Sequence, residues 1–299
     1  MHDSPPLRDA LLTRQGRVAV LTLNRDDVRN ELTGTALVDD IERTVDWINR
    51  SDEVSVLVLT GAGKAFSSGG NIKHMLRREG SFGGGVHEVA DKYRRGIQRI
   101  PLAMQRLEVP SIAAINGAAI GAGFDLACLC DIRLAAQGAM LAESFINVGI
   151  IPGDGGCWIL QRLIGYQRAA ELTFSGRAID AEEARRLGIV MDVLPPDELL
   201  PRATAMAEDF ARKPPQALRM TKRLMKSAQR TELADFLDQC AVFQGVCHNT
   251  ADHLEAVGSI IDKRAPRFPC CHTHIQASCP STRCKISRLS AWCHACPFF

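Results

Sequence analysis

No stretch of this 299-residue chain approaches the roughly 18 consecutive apolar residues of a membrane span, so no transmembrane helix and no membrane partner are expected. Met1 to Thr13 lacks the apolar core of a secretory signal, which predicts a cytoplasmic protein. An excess of either charge is missing too: the net charge is +2, and no nucleic-acid partner is expected. A dinucleotide fingerprint is lacking, because Leu126 stands where Gly121 and Gly123 would need a third glycine. The chain has no G-x-x-x-x-G-K-[ST] phosphate loop. Ser67 and Ser68 sit in no G-x-S-x-G elbow, which argues against a serine hydrolase. His74 and His87 have no metal-ligand spacing.

What is present is ordinary in amount and uneven in placement. With 46% hydrophobic and 23% charged residues, the chain can bury a sizeable core in one large or two smaller domains. Residues 263–299 hold six Lys/Arg and no acid, leaving 30 bases against 34 acids, a net of −4, in residues 1–262. Six of the eleven cysteines lie after residue 269: Cys270, Cys271, Cys279, Cys284, Cys293 and Cys296. Cys128, Cys130, Cys157, Cys240 and Cys247 sit mostly in apolar segments and read as reduced, buried thiols. Residues 269–299 have no periodicity and abundant Cys, Ser and Pro. They read as an unrelated, disordered extension whose deletion should leave folding and activity intact. Zinc binding by Cys293 and Cys296 with His272, His274 or His294 is the alternative, weakened because no second C-x-x-C completes a site.

Periodicity predicts strands at Val18–Leu23, Val54–Leu59, Ile112–Ile115, Ile132–Ala136, Met140–Ala142 and Val190–Leu194. Thr33 is placed to cap a helix with the apolar face Leu37, Ile41, Val45 and Ile48. Another helix is expected from about Asp91 to Leu107, after a segment, residues 80–85, that looks mobile. Asp180 and Glu183 form a capping box for a short helix ending at Gly188. After Pro196 the pattern is helical only, with one stripe at Leu199, Ala203, Met206 and Phe210, a second at Leu218, Thr221 and Met225, and a third at Phe236, Cys240 and Phe243. Strands alternating with helices, then helices alone, predict an α/β core with an α-helical C-terminal layer.

Three loops compete for chemistry: 66–73, 117–125 and 149–156. The second lies in P-S-I-A-A-I-N-G-A-A-I-G-A-G-F-D-L-A-C-L-C-D, residues 110–131, where an apolar strand ends in a turn and small residues open an apolar helix. A helix start presents unpaired N–H groups and partial positive charge, and small side chains let an oxyanion approach them. Tight packing of the helix against a sheet explains the same residues.

Taken together the chain resembles the crotonase superfamily, the enoyl-CoA hydratase/isomerase family, over roughly residues 10–268. The resemblance rests on L-T-L-N-R-D-D-V-R-N-E-L, L-T-G-A-G-K-A-F-S-S-G-G-N-I-K, the 110–131 stretch, C-D-I-R-L-A, G-I-I-P-G-D-G-G and A-E-E-A-R-R-L-G-I-V in that order. It implies a spiral of ββα repeats over residues 1–196 and a helical trimerisation region over residues 197–268. It also implies an acyl-CoA thioester substrate, with coenzyme A as part of that substrate and no separate cofactor. The implied assembly is a homotrimer or a dimer of trimers. The family holds a thioester enolate on two backbone N–H groups, which correspond here to Gly70 and Ala122. Arg29, Ser68, Gly69, Asn71, Ile72, Lys73, Gly121, Phe145 and Lys263 match substrate-contacting positions; Lys73 matches a phosphate contact and Lys263 a lysine reaching a neighbouring subunit's CoA.

Hydratases of the family use two glutamates. The first corresponds to Asp125; the second corresponds to Phe145, which transfers no proton. Glu143 lies two residues earlier and faces the same side only if the backbone there is a regular strand. Asp154 offers a substitute, because dienoyl-CoA isomerases and a chlorobenzoyl-CoA dehalogenase place an aspartate in or beside this turn. Apolar Ile150, Ile151 and Trp158 are expected to raise its pKa; the competing reading is a helix cap. The expected activity is therefore isomerase-type proton transfer by Asp154 with Asp125 secondary. A thioester hydrolase or lyase, or a non-catalytic acyl-CoA-binding trimer, is the alternative.

Overall fold

The computed structural model describes residues 4–268; the Cys-rich tail, with its expected disorder and the zinc alternative, lies outside them. Ten strands occur among these residues: β1 (Ala10–Gln15), β2 (Val18–Leu23), β3 (Val56–Gly61), β4 (Ala65–Ser67), β5 (Ser111–Ile115), β6 (Ala118–Ile120), β7 (Ile132–Ala136), β8 (Met140–Ala142), β9 (Ala178–Asp180) and β10 (Asp192–Leu194). They form a six-stranded sheet in the order β1-β2-β3-β5-β7-β10 and a four-stranded sheet in the order β4-β6-β8-β9. Successive strand pairs β3–β4, β5–β6 and β7–β8 each send one strand to either sheet, which is the ββα spiral. Only β1 with β2 and β8 with β9 pair antiparallel. The central strands β3 and β5 are buried almost throughout, as parallel strands covered on both faces must be, hence their unbroken apolar runs.

The helices are α1 (Leu37–Arg50), α2 (Ile72–Arg77), α3 (Val86–Arg95), α4 (Arg99–Arg106), α5 (Ala122–Cys128), α6 (Gly156–Ile164), α7 (Tyr166–Ser175), α8 (Ala181–Leu187), α9 (Pro196–Ala211), α10 (Pro215–Ala228), α11 (Leu233–His248) and α12 (Ala251–Ile261). The main core runs between the sheets and α1, α4 and α5. A second apolar cluster sits on the other face of the large sheet, where Leu199, Ala203 and Ala207 of α9 cover Val18, Val56, Val58, Ile112 and Leu134. The division expected after residue 196 thus falls at a helix that packs back onto the sheet. Among the described residues no helix is long and apolar enough to cross a membrane.

Several local expectations are corrected. The helix expected from Asp91 to Leu107 is two, α3 and α4, broken at Gly96, whose φ of −110° and ψ of −111° are not helical. Residues 80–82 form a short 3-10 turn within the segment read as mobile. Thr33 does not cap α1: the Ala36 N–H donates to Asp9 Oδ2 (2.6 Å) and the Leu37 N–H to Thr35 Oγ1 (3.3 Å), while Thr33 Oγ1 accepts from the Asn71 N–H (3.2 Å). Four strands had no sequence expectation: β1, an exposed edge strand, and β4, β6 and β9, each three residues long. Of the cysteines read as buried, Cys128 and Cys130 are, whereas Cys157 is exposed.

Candidate active site

Two loops are brought edge to edge by hydrogen bonds that begin at Asn30. This residue has a left-handed backbone (φ 53°) and is fully buried. Its side chain donates to the carbonyls of Ala62 (3.0 Å) and Ala65 (2.9 Å) and accepts from the Arg25 N–H (2.7 Å). The Ser68 N–H then donates to the Arg29 carbonyl (2.9 Å), and the Leu32 N–H to the Gly69 carbonyl (2.7 Å). The stretch from Ser67 to Asn71 is therefore clamped along segment 29–33. Gly69 has φ +74°, and a Cβ there would lie 2.5 Å from the Ile120 carbonyl and 3.0 Å from the Ala122 nitrogen, so only glycine permits the approach. This contact brings the Gly70 loop against the start of α5.

Ala122 is the first residue of α5, so its N–H has no partner inside the helix. Gly70 lies outside any helix or strand, and neither amide donates to a protein acceptor. Both residues line one cavity of about 200 Å³, together with Leu32, Thr33, Met75, Tyr93, Phe145, Ile150 and Asp154. At Gly121 a Cβ would meet the Phe145 ring at an ordinary 3.6 Å; it is the positive φ of 53° that asks for glycine there. A larger cavity of about 550 Å³ lies between α9–α10 and α5–α6; its one acid, Asp131, is already engaged by Lys222 (2.7 Å) and Ser111 (2.8 Å). The smaller cavity is where uncommitted N–H donors and an uncommitted carboxylate meet.

Behind Asp154 the structure places two more acids. Asp125, in the first turn of α5, and Glu143, just after β8, are each 1% exposed, and Asp154 is 5% exposed. Both oxygens of Asp125, both of Glu143 and Oδ1 of Asp154 are enclosed without a hydrogen-bond partner. A Cβ at Gly156 would collide with Glu143 Oε1 and come within 2.6 and 2.7 Å of the Asp125 oxygens, so glycine at that position lets the acids converge. Burial pushes all three upward: Asp125 well above the carboxylate range, with Asp154 and Glu143 adding like-charge repulsion, Glu143 to about 7, and Asp154 in the same direction. Tyr93 is also raised, by burial and by the Asp154 charge.

Asp154 therefore lies where the sequence placed it, for a different reason. Of the apolar neighbours expected to raise its pKa, Ile151 is 75% and Trp158 46% exposed; burial of the carboxyl does this instead, while Asp125, as a hydrogen-bond donor, pulls the other way. The helix-cap alternative fails, since Gly155 is the cap residue of α6 and no side chain caps that helix. Glu143 is the acid that sequence reasoning weighed and left out. The strand stops at Ala142 and a 3-10 turn, Ser144–Val148, follows, so Glu143 turns inward while Phe145 turns to the cavity.

The remaining candidates separate. Asn71 caps α2, accepting from the Lys73 (2.9 Å) and His74 (3.1 Å) amides. Ser68 donates to the Val28 carbonyl (3.4 Å). Arg29, Ile72 and Lys73 are exposed and do not line the cavity. Lys263 is exposed beyond α12 and is not brought to it.

A family model described as enoyl-CoA hydratase/isomerase matches residues 13–269. The chain belongs to the enoyl-CoA hydratase/isomerase family. Within it, the chain is 33% identical over 260 residues to the short-chain-enoyl-CoA hydratase of Clostridium acetobutylicum, covering 86% of this chain and 96% of that protein. It is 32% identical over 262 residues to the 2,3-dehydroadipyl-CoA hydratase of Escherichia coli, covering 88% and 99%. Among solved structures, an enoyl-CoA hydratase from Bacillus anthracis superposes with a TM-score of 0.79 at 33% identity, covering 87% of this chain and 99% of that one. Pseudomonas aeruginosa DspI superposes at 0.82 with 28% identity, covering 90% and 100%.

Proposed function

We propose that the chain processes an acyl-CoA thioester through an enolate and that its preferred reaction is double-bond migration by a single base, Asp154. One observation carries this reading: the unpaired amides of Gly70 and Ala122 share a cavity wall with the Asp154 carboxylate. Asp154 takes a proton from the carbon next to the thioester carbonyl, and the electron pair moves onto the thioester oxygen. The two N–H groups hold that oxygen as its charge grows, which favours the transition state over the ground state. The same proton then returns two carbons further along, and the double bond has moved. Net addition of water needs a second acid–base group facing the substrate. Phe145 occupies the place the sequence assigns to it, and Asp125 and Glu143 do not line the cavity. The printed names of the two curated relatives point to hydration; the apolar Phe145 weighs against it. Ser68, Gly69, Asn71 and Gly121 shape the thioester pocket, and Arg29, Ile72, Lys73 and Lys263 are the proposed contacts of the CoA portion.

The test is a panel of acyl-CoA esters followed for double-bond migration, water addition and release of free CoA thiol. Migration without net water uptake is expected. Comparable water addition would overturn the isomerase preference, and thiol release would point to a hydrolase. Tight ester binding with no turnover would leave a non-catalytic binder.

A further inference from the structure

The acid group behind the cavity holds one residue that the proton-transfer reading does not use. Glu143 touches neither the cavity nor the paired amides. It is buried against Asp125, and Asp125 in turn lies against Asp154; Gly156 permits the close approach. The groups that face this chain of acids are few. Cys128 comes from α5, Cys157 from α6, and Tyr93 from α3 faces Asp154. Arg133, the cation that acts on Cys128, is committed to the carbonyls of Ile189, Cys128 (3.4 Å) and Cys130. No donor from the protein reaches any of the five enclosed oxygens.

Three ionised carboxylates in such a place would be unstable. A buried polar oxygen without a partner is costly, and more so when charged. Adjacent like charges add repulsion. A proton between two of the acids reduces both penalties, because it removes one charge and makes a protonated carboxyl a donor to its neighbour. Asp125 is the middle member and is the one placed to carry that proton. It can donate either to Asp154, on the cavity side, or to Glu143, on the closed side.

We propose that Glu143 is a positioning residue of the reaction, accepting the Asp125 O–H that otherwise stays directed at Asp154. The inference rests on the role proposed for Asp154. When Asp154 takes a proton from the substrate carbon, Asp125 turns its own O–H from Asp154 to Glu143. No proton is gained or lost: the substrate proton stays on Asp154 until it is returned, and Asp125 turns back. Without Glu143 the Asp125 proton is pinned on Asp154, which becomes a weaker base.

Two readouts test this on the full chain. The first is the infrared carbonyl stretch of a protonated carboxyl at neutral pH, compared in wild type, Glu143→Gln and Asp125→Asn. Wild type is expected to show the band, Asp125→Asn to lack it, and Glu143→Gln to shift it. The second is the pH profile of kcat. Losing an acidic neighbour lowers the Asp154 pKa, so in Glu143→Gln the acid limb moves down by about one pH unit while KM holds. Should Glu143→Gln fail to fold, Glu143→Met, an apolar isostere, takes its place in both. A band that does not move between wild type and the Glu143 variant overturns the proposal whatever the activity does. A moved band with an unmoved acid limb also overturns it, leaving Glu143 a structural acid. A moved band in a protein that turns over no acyl-CoA keeps the shared proton and removes the acyl-CoA reading instead.

Discussion

At the scale of single residues, the proposed chemistry turns on the balance between Asp154 and its neighbours. Asp154→Asn keeps the shape of the side chain but accepts no proton. A kcat lower by a factor on the order of 10² to 10⁴ is expected, with ester affinity nearly unchanged. Steady-state kinetics with an ester-binding titration checks this. Full turnover in Asp154→Asn, with loss in Asp125→Asn, would move the base to Asp125. The same acids also set how stability responds to pH. For Glu143 the folded-state pKa is raised from 4.5 to about 7, so over that window the folded chain binds more protons than the unfolded chain. Stability therefore falls as pH rises through the window and levels off above it; below it both states are protonated and nothing is lost. Glu143 contributes a decline on the order of 3 kcal/mol, and the raised pKa values of Asp125 and Asp154 act in the same direction. Urea midpoints at about pH 5 and about pH 8 measure it, and Glu143→Gln should flatten the difference. A midpoint that rises with pH would show that the three acids are ionised and satisfied.

At the scale of elements, the active-site wall is a junction between two secondary-structure ends. The Asn30 hydrogen bonds hold the Gly70 loop after β4, and α5 begins at Ala122 directly after the turn at Gly121. Ala122 is the first helical residue, where proline fits without costing an intrahelical bond. Gly121, at φ 53° and ψ −122°, is in the mirror image of the extended conformation that proline asks of its predecessor, which an achiral residue adopts freely. Ala122→Pro thus removes one N–H and leaves α5 in place. A kcat loss on the order of 10² to 10³ with an unchanged far-ultraviolet circular dichroism spectrum is expected. Unchanged kinetics would show that the Ala122 amide does not hold the reacting oxygen.

At the scale of the whole molecule, the C-terminal helices are short of partners. Among the described residues α11 buries none of its own, and it exposes Leu233, Leu237, Val242 and Val246. The neighbouring α12 exposes Leu254, Val257, Ile260 and Ile261. Contiguous apolar surface of this kind marks an association face. A homotrimer or dimer of trimers is the expected assembly, in line with the sequence resemblance. Light scattering measures the mass directly, and a mass equal to one chain in dilute buffer would refute the assembly.

The α/β class, the long buried strands, the family and the three loops were all legible in the sequence, because each rests on a local pattern: apolar periodicity, glycine punctuation, short motifs in order. Asp154, Gly70 and Ala122 were singled out as candidates through such motifs. The rest was decided by contacts between residues distant in the chain. Strands β4, β6 and β9 exist because they and β8 pair with one another into one sheet, not because three residues carry a period. The cap of α1 comes from Asp9, 27 residues before the amide it accepts from. Glu143 could not be placed from sequence, since its direction depends on where β8 stops and a 3-10 turn begins. Its neighbours Asp125 and Gly156 lie 18 residues before it and 13 after it, so the buried acid group exists only once β8, α5 and α6 have packed together. A pKa is a property of that enclosure, of distance and lost water, and no spacing along the chain encodes it.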